Sequence, residues 1–303
     1  MSALRETVAA LFRFSGMPSL IRALLVRRRV TIIFYHDPEP QVVEQHLRYL
    51  ARHYRFITLG TLVDAIRRKD WTGIQRHSLV VTIDDGHKGN ARLGEIFAKY
   101  HARPTIYLCS QIVGTQRRFW FRLPGVHAQP LKYLSHSARL AELKRRHGWE
   151  PTSEGGDGPH ALSFEELRHL EGYVDFGSHT RFHPILTTCS DEECRQEIAL
   201  SKTEVEAMLG SECRHFSYPN GDYTQREVNY AREAGYLSAR TVDLGWNGPE
   251  TDPFRLKMTG VSDDASISVL ACQVVGFPTY FGRLFKGNLS GRHPTTLPET
   301  KQA

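Results

Sequence analysis

The sequence contains little cysteine, and its cysteines follow no pattern that points to a disulfide framework. Its 5 cysteines are scattered over 303 residues, and no two of them form a Cys-x-x-Cys pair. An odd number without regular spacing is typical of reduced thiols in a cytosolic protein. The N-terminal region also lacks the apolar core of a secretory signal, because Arg13 and Arg22 interrupt it. We therefore expect a cytoplasmic protein with reduced thiols.

Long hydrophobic runs are also absent. No apolar stretch approaches the ~20 residues that a membrane-spanning helix needs. The composition, 40% hydrophobic and 24% charged, is ordinary for a globular protein and argues against intrinsic disorder. The net charge of +6 lies at the ends of the chain, because residues 1–29 carry +5 and residues 278–303 carry +3. The remainder is slightly acidic, which argues against a nucleic-acid partner.

The two basic ends are expected to lie outside the main domain, which we place at residues 29–277. Residues 1–28 have apolar and basic residues at partly helical spacing and predict a basic amphipathic extension. This extension either contacts an anionic membrane, peripherally on the inner leaflet, or packs against the domain as an ordinary helix. Residues 278–303 are rich in Gly, Pro and Thr and predict a flexible tail.

Strands and helices alternate along the main domain, which is typical of an α/β fold with a parallel sheet. We predict strands at residues 30–36, 56–58, 78–86, 104–110, 174–179 and 237–242, and a strand followed by a turn at 215–223. We predict helices at residues 42–54, 59–69, 90–100, 162–171, 190–209 and 228–234. Residues 111–160 are less regular and are interpreted as an excursion from the core.

Three groups of polar residues follow predicted strands, at the end where catalytic groups collect in parallel α/β folds. Asp84 and Asp85 end the first such strand, where one carboxylate can bind a metal while the other accepts a proton. His179 and His183 follow another strand, four residues apart. One Asp with two His is a ligand set that leaves an open position on a catalytic Zn²⁺ or a similar ion.

The third group is the turn after the strand at residue 217. A Pro-Asn-Gly turn at 219–221 exposes backbone N–H groups that can stabilise an oxyanion, although it can also be a simple turn. His36 ends the first strand, where it either approaches the site or makes a structural hydrogen bond. The aromatic run at 119–121 either packs in a core or lid, or stacks on a sugar.

Taken in order, the motifs TIDDG (82–86), SHTRFHP (178–184) and SYPNGDY (217–223) resemble those of the polysaccharide deacetylase family. The resemblance is to the NodB-type domain of carbohydrate esterase family 4, and it covers residues 29–277. It implies an α/β fold, a distorted (β/α) barrel with fewer than eight complete units. It also implies a hydrolase that removes N-acetyl groups from the amino sugars of a polysaccharide, glycolipid or glycan precursor.

The same resemblance implies roles for individual residues. Asp84 would be the catalytic base, and the metal, most simply Zn²⁺ although Co²⁺ or a similar ion also fits, would be held by Asp85, His179 and His183. A backbone N–H near Asn220, with Tyr218 beside it, would hold the oxyanion or the substrate. The products would be acetate and a free amine on the sugar.

The sequence departs from the family pattern at two places. Ser217 stands where the family often has the Arg that orients the base, and residues 254–258 lack the His that often supplies the general acid. His87, directly after the Asp-Asp-Gly turn, is a candidate substitute for that acid. The departures leave two alternatives: a carbohydrate-binding pseudoenzyme of the same fold, or a hydrolase of another non-peptide C–N bond.

Overall fold

A computed structural model of the protein describes residues 3–277. Within this range eight strands form one parallel sheet, and seven of them close into a ring. The strands are β1 (Thr31–Tyr35), β2 (Arg55–Phe56), β3 (Ser78–Ile83), β4 (Thr105–Leu108), β5 (Asp175–Ser178), β6 (His215–Ser217), β7 (Ser238–Leu244) and β8 (Leu256–Gly260). The ring runs in the order β1-β8-β7-β6-β5-β4-β3, and β1 pairs with β3 to close it.

Helices pack around the ring of strands and across one of its ends. They are α1 (Ala3–Phe14), α2 (Met17–Ile21), α3 (Pro40–Leu50), α4 (Leu59–Arg68), α5 (Gly94–Lys99), α6 (Ala128–Leu131), α7 (His136–His147), α8 (Phe164–Leu170), α9 (Asp191–Leu209), α10 (Gln225–Glu233) and α11 (Ile267–Val274). A π-helical turn at Arg22–Val26 follows α2. Helices α8, α9 and α10 each begin with a capping box, which fixes where they start.

The predicted fold class, a distorted (β/α) barrel with fewer than eight complete units, is confirmed. The distortion lies at β2, which has only two residues and pairs with β3 alone. Because β1 pairs directly with β3 over five residue pairs, β2 stays outside the ring. The closed structure therefore contains seven strands rather than eight.

The register of the sheet brings the carboxyl ends of the strands to one end of the ring. Tyr35 pairs with Ile83, so that His36 and Asp84 follow side by side. Leu108 pairs with Ser178, and His179 comes next. Because all neighbouring strands are parallel, the residues after β1, β3, β5 and β6 lie at the same end, called here the catalytic end.

Side chains alternate between the inside and the outside of the ring. Ile33 and Tyr35 belong to an outer apolar cluster with Leu47 of α3 and Phe97 of α5. Ile32 and its alternating neighbours belong to an inner cluster, which contains Phe34, Val80, Tyr107 and Met258 and also the apolar face of α4. On α4, Asp64 accepts a hydrogen bond from Arg214 just before β6. Helix α4 therefore lies at the end of the ring opposite the catalytic end.

The structure corrects several of the predicted elements. The helix predicted at 90–100 is a 3₁₀ turn at Lys88–Arg92 followed by α5. Strand β8 and helices α7 and α11 were not predicted at all. Strand β8 has only five residues, four of them buried, and α11 is buried on nearly all sides, so neither gives a clear amphipathic period. The C-terminal tail predicted at 278–303 lies outside the described residues.

Candidate metal centre and catalytic cavity

The Asp84–Asp85 pair lies in a sharp turn at the catalytic end of β3. The backbone N–H of Asp84 donates to the carbonyl of Tyr35 at 2.9 Å, which continues the pairing of β1 with β3 by one residue. Asp85 then has a φ of 73°, in the left-handed region that non-glycine residues seldom adopt. This turn points the two adjacent carboxylates to different partners.

A second strained segment brings the two histidines to Asp85. Thr180 and His183 also have positive φ values, 70° and 58°. The Nε2 atoms of His179 and His183 lie 3.5 and 3.4 Å from Oδ1 of Asp85. Strained residues gathered at one place are typical of functional sites, where the surrounding structure holds them.

The three side chains fit a divalent metal ion. Their ligand atoms all lie within 4.8 Å of one another, and all three residues are buried. Oδ1 of Asp85 is buried and has no hydrogen-bond partner in the described structure, so its lone pairs are unused. In a tetrahedral site with bonds of about 2.0–2.1 Å, ligand atoms are separated by roughly 3.3–3.4 Å. The separations of 3.4 and 3.5 Å from Asp85 to the imidazoles match that geometry.

Residues around the three candidate ligands fix their orientation. Nδ1 of His179 lies 2.8 Å from the carbonyl of Ser217, which holds the tautomer that leaves Nε2 free to bind a metal. Nε2 of His87 lies 3.0 Å from Oδ2 of Asp85, the oxygen that does not face the two imidazoles. Trp120 donates to the carbonyl of His183 at 3.0 Å. These contacts are those expected of a supporting shell around a metal site.

The protonation states also suit metal binding. Burial lowers the pKa of His183 to about 3, so that its imidazole is neutral. Burial alone would raise the pKa of Asp85, but its histidine neighbours, His183 and His87 foremost, hold that pKa well below its usual range. A neutral imidazole and an ionised carboxylate are the forms that bind divalent ions.

Asp84 is held by Arg240, a residue that the sequence motifs did not predict. Arg240, on β7, donates a hydrogen bond to Oδ2 of Asp84 and another, at 2.8 Å, to the hydroxyl of Ser217. Its guanidinium also lies over the rings of Phe34 and Tyr107. Since Ser217 pairs with Arg240 in the sheet, the Arg missing at position 217 is replaced by one from the neighbouring strand.

This contact sets the charge of Asp84. Burial raises the pKa of Asp84, but Arg240 and the nearby His179 and His36 outweigh that effect and leave it below its ordinary value. The carboxylate is therefore ionised near neutral pH. Its other oxygen, Oδ1, is buried without a hydrogen-bond partner in the described structure, and Asp84 lines the cavity described next. Oδ1 is thus available to accept a proton.

A cavity of about 610 Å³ opens at this centre. It is lined by Asp84 and the three candidate ligands, by Phe34, His36, Tyr218, Asn220, Gly221, Val242 and Met258, and by Trp120, Phe121, Ala128, Gln129 and Lys132 from the segment at 111–160. That segment therefore forms one wall of the site. The volume is within the range of small-molecule sites, which are about 300–1,000 Å³.

The turn predicted to hold an oxyanion lies in the cavity wall. Asn220 has a φ of 58°, and the N–H of Gly221 donates to the carbonyl of Tyr218 at 2.9 Å. The side chain of Asn220 accepts from Lys132 and donates to Asp222, so it is already engaged. Gly221 has a φ of 76°, and a Cβ at this position would collide with Val242. The turn is therefore held by the hydrogen bonds of the Asn220 side chain and by the close packing of Gly221 against Val242.

The other predicted residues are placed as follows. His36 lines the cavity, whereas His87 is buried beside Asp85 and is not among the residues that line it. Phe119 is fully buried, and Trp120 and Phe121 line the cavity. In the stretch at 254–258 it is Met258 that lines the cavity, so no acid comes from there.

Comparisons with known proteins agree on one family. A family model described as polysaccharide deacetylase matches residues 74–239, more than half of the chain. No curated protein matches the chain. A solved structure of IcaB from Ammonifex degensii is 17% identical, with a TM-score of 0.60, and the match covers 83% of this chain and 99% of IcaB.

Two further solved structures are similar. The Streptococcus pyogenes deacetylase PplD, solved in complex with acetate, is 16% identical with a TM-score of 0.59, covering 79% of this chain and 95% of PplD. A de-N-acetylase from Aggregatibacter actinomycetemcomitans is 14% identical with a TM-score of 0.57, covering 79% of this chain and 97% of its own. At these identities the structural likeness establishes the shared fold.

Proposed function

The chain belongs to the polysaccharide deacetylase family, and from this premise we propose that it is a metal-dependent amino-sugar N-deacetylase. Its substrate would be an N-acetylated polysaccharide, glycolipid or glycan precursor. Similar proteins include one solved with acetate and one described as a de-N-acetylase, which supports this class of reaction. The proposed ion is Zn²⁺, with Co²⁺ or a similar ion as a substitute.

The observation that carries the proposal is the position of Asp84 beside the Asp85–His179–His183 set in one cavity. Asp85, His179 and His183 would hold the ion, which when bound supplies Lewis acidity toward a water molecule and a carbonyl oxygen. Asp84 would accept the proton of the attacking water at Oδ1, while Arg240 keeps Oδ2 in place. The turn from Tyr218 to Gly221 would hold the acetyl group from the other side.

The leaving amine needs a proton, and two histidines compete for this role. His87 is the candidate from the sequence, but its Nε2 is engaged by Asp85 at 3.0 Å. His36 lines the cavity, and its backbone donates to Asp263 and accepts a hydrogen bond from Asn90. We therefore assign the proton delivery to His36, and to His87 the role of holding Asp85.

The cytoplasmic location stays a prediction. The five cysteines are free and buried, which is compatible with a reducing compartment. The pseudoenzyme alternative would leave the buried Asp84–Arg240 pair without a chemical use. A hydrolase of another C–N bond would use the same groups and would differ in its substrate.

Acetate release tests the proposal directly. Purified protein loaded with Zn²⁺ or Co²⁺ is incubated with N-acetylglucosamine oligosaccharides and, separately, with cyclic imides. We expect acetate from the sugars, and a loss of at least about a hundredfold in Asp84→Asn with metal binding retained, because the base is removed. Asp70→Asn, an exposed Asp in a loop near the opposite end, is the matched control.

The alternatives give different results in the same experiment. Metal binding without release of acetate or of any imide product would favour the pseudoenzyme. Turnover of cyclic imides alone would favour the other hydrolase. Equal acetate release by the wild type and Asp84→Asn would contradict the assignment of the base.

A further inference from the structure

The N-terminal helices carry most of the exposed large apolar side chains among the described residues. Seven of the ten such side chains within residues 3–277 lie between residues 4 and 25. We call this group the N-terminal apolar surface, and it consists of Leu4, Leu11, Phe14, Met17, Leu20, Leu24 and Leu25. The side chains of Phe14, Leu24 and Leu11 are 77%, 70% and 69% exposed. An apolar cluster of this kind marks a surface that meets a partner.

Packing among residues 3–277 does not account for this surface, because the helices already use their other face. On α1, Ala9 and Phe12 are buried, and the ring of Phe12 lies 3.9 Å from that of Phe277, just beyond α11. Leu4 and Leu11 are seven residues apart, so they share the opposite side of the helix. Helix α1 is therefore apolar on both its inner and its outer side.

Arginines surround the apolar side chains. Arg27, Arg28 and Arg29 directly follow the π-helical turn and are exposed, and within residues 3–277 no acid forms an ion pair with them. The guanidinium of Arg22 lies 3.4 Å from Nδ1 of His53, on the end of the ring opposite the catalytic end. Glu6 is the acid in this segment, and it is engaged by Ser266. Within the described part of the chain, the positive charges of Arg27, Arg28 and Arg29 are thus not neutralised by an acid.

The charge extends over the adjacent end of the ring. Burial lowers the pKa of His77, and Arg22, Arg76 and Arg27 lower it further, in that order. Burial and then Arg22 and Arg13 likewise lower the pKa of His53. Arg22 thus acts on both imidazoles, together with Arg27 at His77 and with Arg13 at His53. The arginines of the N-terminal segment therefore lie close to this end of the ring.

From the combination of exposed aliphatic and aromatic side chains with unneutralised arginines, we propose that the N-terminal apolar surface binds the interface of an anionic lipid bilayer. The apolar side chains would enter the boundary between headgroups and acyl chains, and the arginines would contact lipid phosphates. A protein partner would not need so many unpaired positive charges beside an apolar face. The proposal goes beyond the deacetylase function and does not depend on it.

The helices would lie on the bilayer rather than cross it. Within residues 3–277 no single helix is long and apolar enough to span a membrane, although Ala3–Phe14 and Met17–Val26 pass the length and composition requirement together, with a bend of 60° between them. The bend comes at Gly16, whose φ is 80°. Ala9, Phe12 and Val26 are buried against the protein, so inserting the pair would expose the core beneath them.

The contacts of α1 also define how the bound protein would be oriented. Glu6 meets Ser266 before α11, and Ala9 meets Cys272 within it, so α1 runs alongside α11 in the same direction. Since α11 follows β8, α1 begins near the catalytic end and leads away from it. A bilayer on this surface lies along the flank of the barrel and does not cover the mouth of the cavity.

Vesicle flotation of the full chain tests the proposal. The vesicles are phosphatidylcholine alone, or phosphatidylcholine with about a third phosphatidylglycerol. We expect flotation with the anionic vesicles and its loss at high salt, because exposed charges are screened. We expect the triple variant Leu4→Ser/Leu11→Ser/Leu24→Ser to bind at least tenfold more weakly, since its apolar side chains no longer enter the interface.

Matched variants separate this surface from general effects. Arg27→Gln/Arg28→Gln/Arg29→Gln should bind about a hundredfold more weakly, at about fivefold for each basic residue. Lys144→Gln/Arg145→Gln/Arg146→Gln removes three exposed basic residues from α7 and should bind like the wild type. Leu200→Ser, at an exposed leucine of α9, is the matched apolar control.

Four outcomes would overturn the proposal. Failure of the wild type to float with anionic vesicles would contradict the proposal. Equal weakening of vesicle binding by the α7 control variant would also contradict it. A wild-type dimer that the triple Leu variant converts to a monomer, without lipid binding, would assign the surface to a second copy of the chain. Resistance of bound protein to alkaline carbonate extraction would indicate a membrane-spanning segment instead.

Discussion

Arg240 is the residue on which the proposed chemistry of Asp84 depends. It donates to Asp84 across a sequence separation of 156 residues, and both side chains are almost completely buried. The sequence motifs predicted Asp84 as the base, while Ser217 left the orientation of that base unexplained. Arg240 could not be predicted, because no local motif surrounds this residue and its partner is defined only by the closure of the ring. Asp85, His179 and His183 could be proposed as metal ligands because each belongs to a short local motif, and the structure brings the three side chains together.

Replacing Arg240 with Met should damage both the activity and the stability of the protein. Without the guanidinium, burial dominates and the pKa of Asp84 rises. The acid limb of the pH–rate profile for acetate release should move to higher pH, because the base must lose its proton to act. Breaking the buried pair should also lower the free energy of unfolding by about 3–5 kcal/mol.

The matched control for this variant is Arg139→Met. Arg139 is another buried arginine, and it donates to the carbonyls of Leu131 and Leu134. We expect this variant to be destabilised in urea but to keep the acid limb of the wild type. An unchanged acid limb in Arg240→Met would contradict the role assigned to Arg240.

His36 and His87 should respond differently to the same substitution. His36→Gln removes the proposed proton donor, so kcat should fall by about 10²–10⁴ while the affinity for the metal is kept. His87→Gln removes a partner of Asp85, so the affinity for the metal should fall by about 10–100-fold. Steady-state kinetics at saturating Zn²⁺ together with metal titration measure both effects, and the opposite assignment of the two effects would restore His87 as the acid.

At the scale of elements, helix α9 holds the loop that carries the two histidines. Oε2 of Glu197 accepts hydrogen bonds from the backbone N–H groups of Arg181 and Phe182, at 2.8 and 3.1 Å. The start of α9 could be predicted, since Ser190 and Glu193 form a local capping box. The contact of Glu197 with the loop could not, because it depends on how the helix lies against β5.

Glu197 should make the stability of the protein depend on pH. Burial raises the pKa of Glu197 from its ordinary 4.5 to about 7. Between these values the folded chain keeps a proton that the unfolded chain releases, so this contribution to stability is present below about pH 4.5 and is lost as the pH rises through about 7. In Glu197→Gln this loss is absent. The free energy of unfolding of the variant should therefore rise by about 3 kcal/mol relative to that of the wild type across that pH range.

Urea unfolding at about pH 5 and about pH 8 measures this difference. Comparing the variant with the wild type removes the contributions of other titrating groups, which both proteins share. Glu165→Gln, at an exposed position of α8, should follow the wild type at both pH values. Parallel curves for Glu197→Gln and the wild type would contradict the account.

At the scale of the whole molecule, the alternation of strands and helices was enough to predict an α/β fold with a parallel sheet, and the family resemblance implied the barrel. The closure of the ring was not predictable from local patterns, because the pairings of β1 with β3 and with β8 join distant parts of the chain. The wall at residues 111–160 is likewise a product of long-range packing, where Trp120 and Leu143 form a small core of their own. It gives the cavity its shape, although its sequence shows no regular period.

Metal binding should stabilise the whole fold. The proposed ion would bind only the folded arrangement of β3 and β5, so at a hundredfold excess over its dissociation constant it should add about 2.7 kcal/mol to the free energy of unfolding. For a chain of this size we expect the Tm to rise by several degrees, at about 2–4 °C per kcal/mol. Scanning calorimetry with Zn²⁺ and with a chelator measures the shift, and His183→Ala should abolish it. A shift of the same size in His183→Ala would place the ion elsewhere.

The metal content of the purified protein tests the central claim most directly. The protein is prepared without a histidine tag, and its divalent ions are measured by plasma mass spectrometry. We predict about one ion per chain, lost in Asp85→Ala/His183→Ala and retained in Asp157→Ala/His160→Ala, which removes an Asp–His pair away from the cavity. No bound ion, and no uptake when Zn²⁺ or Co²⁺ is supplied, would contradict the metal-dependent deacetylase.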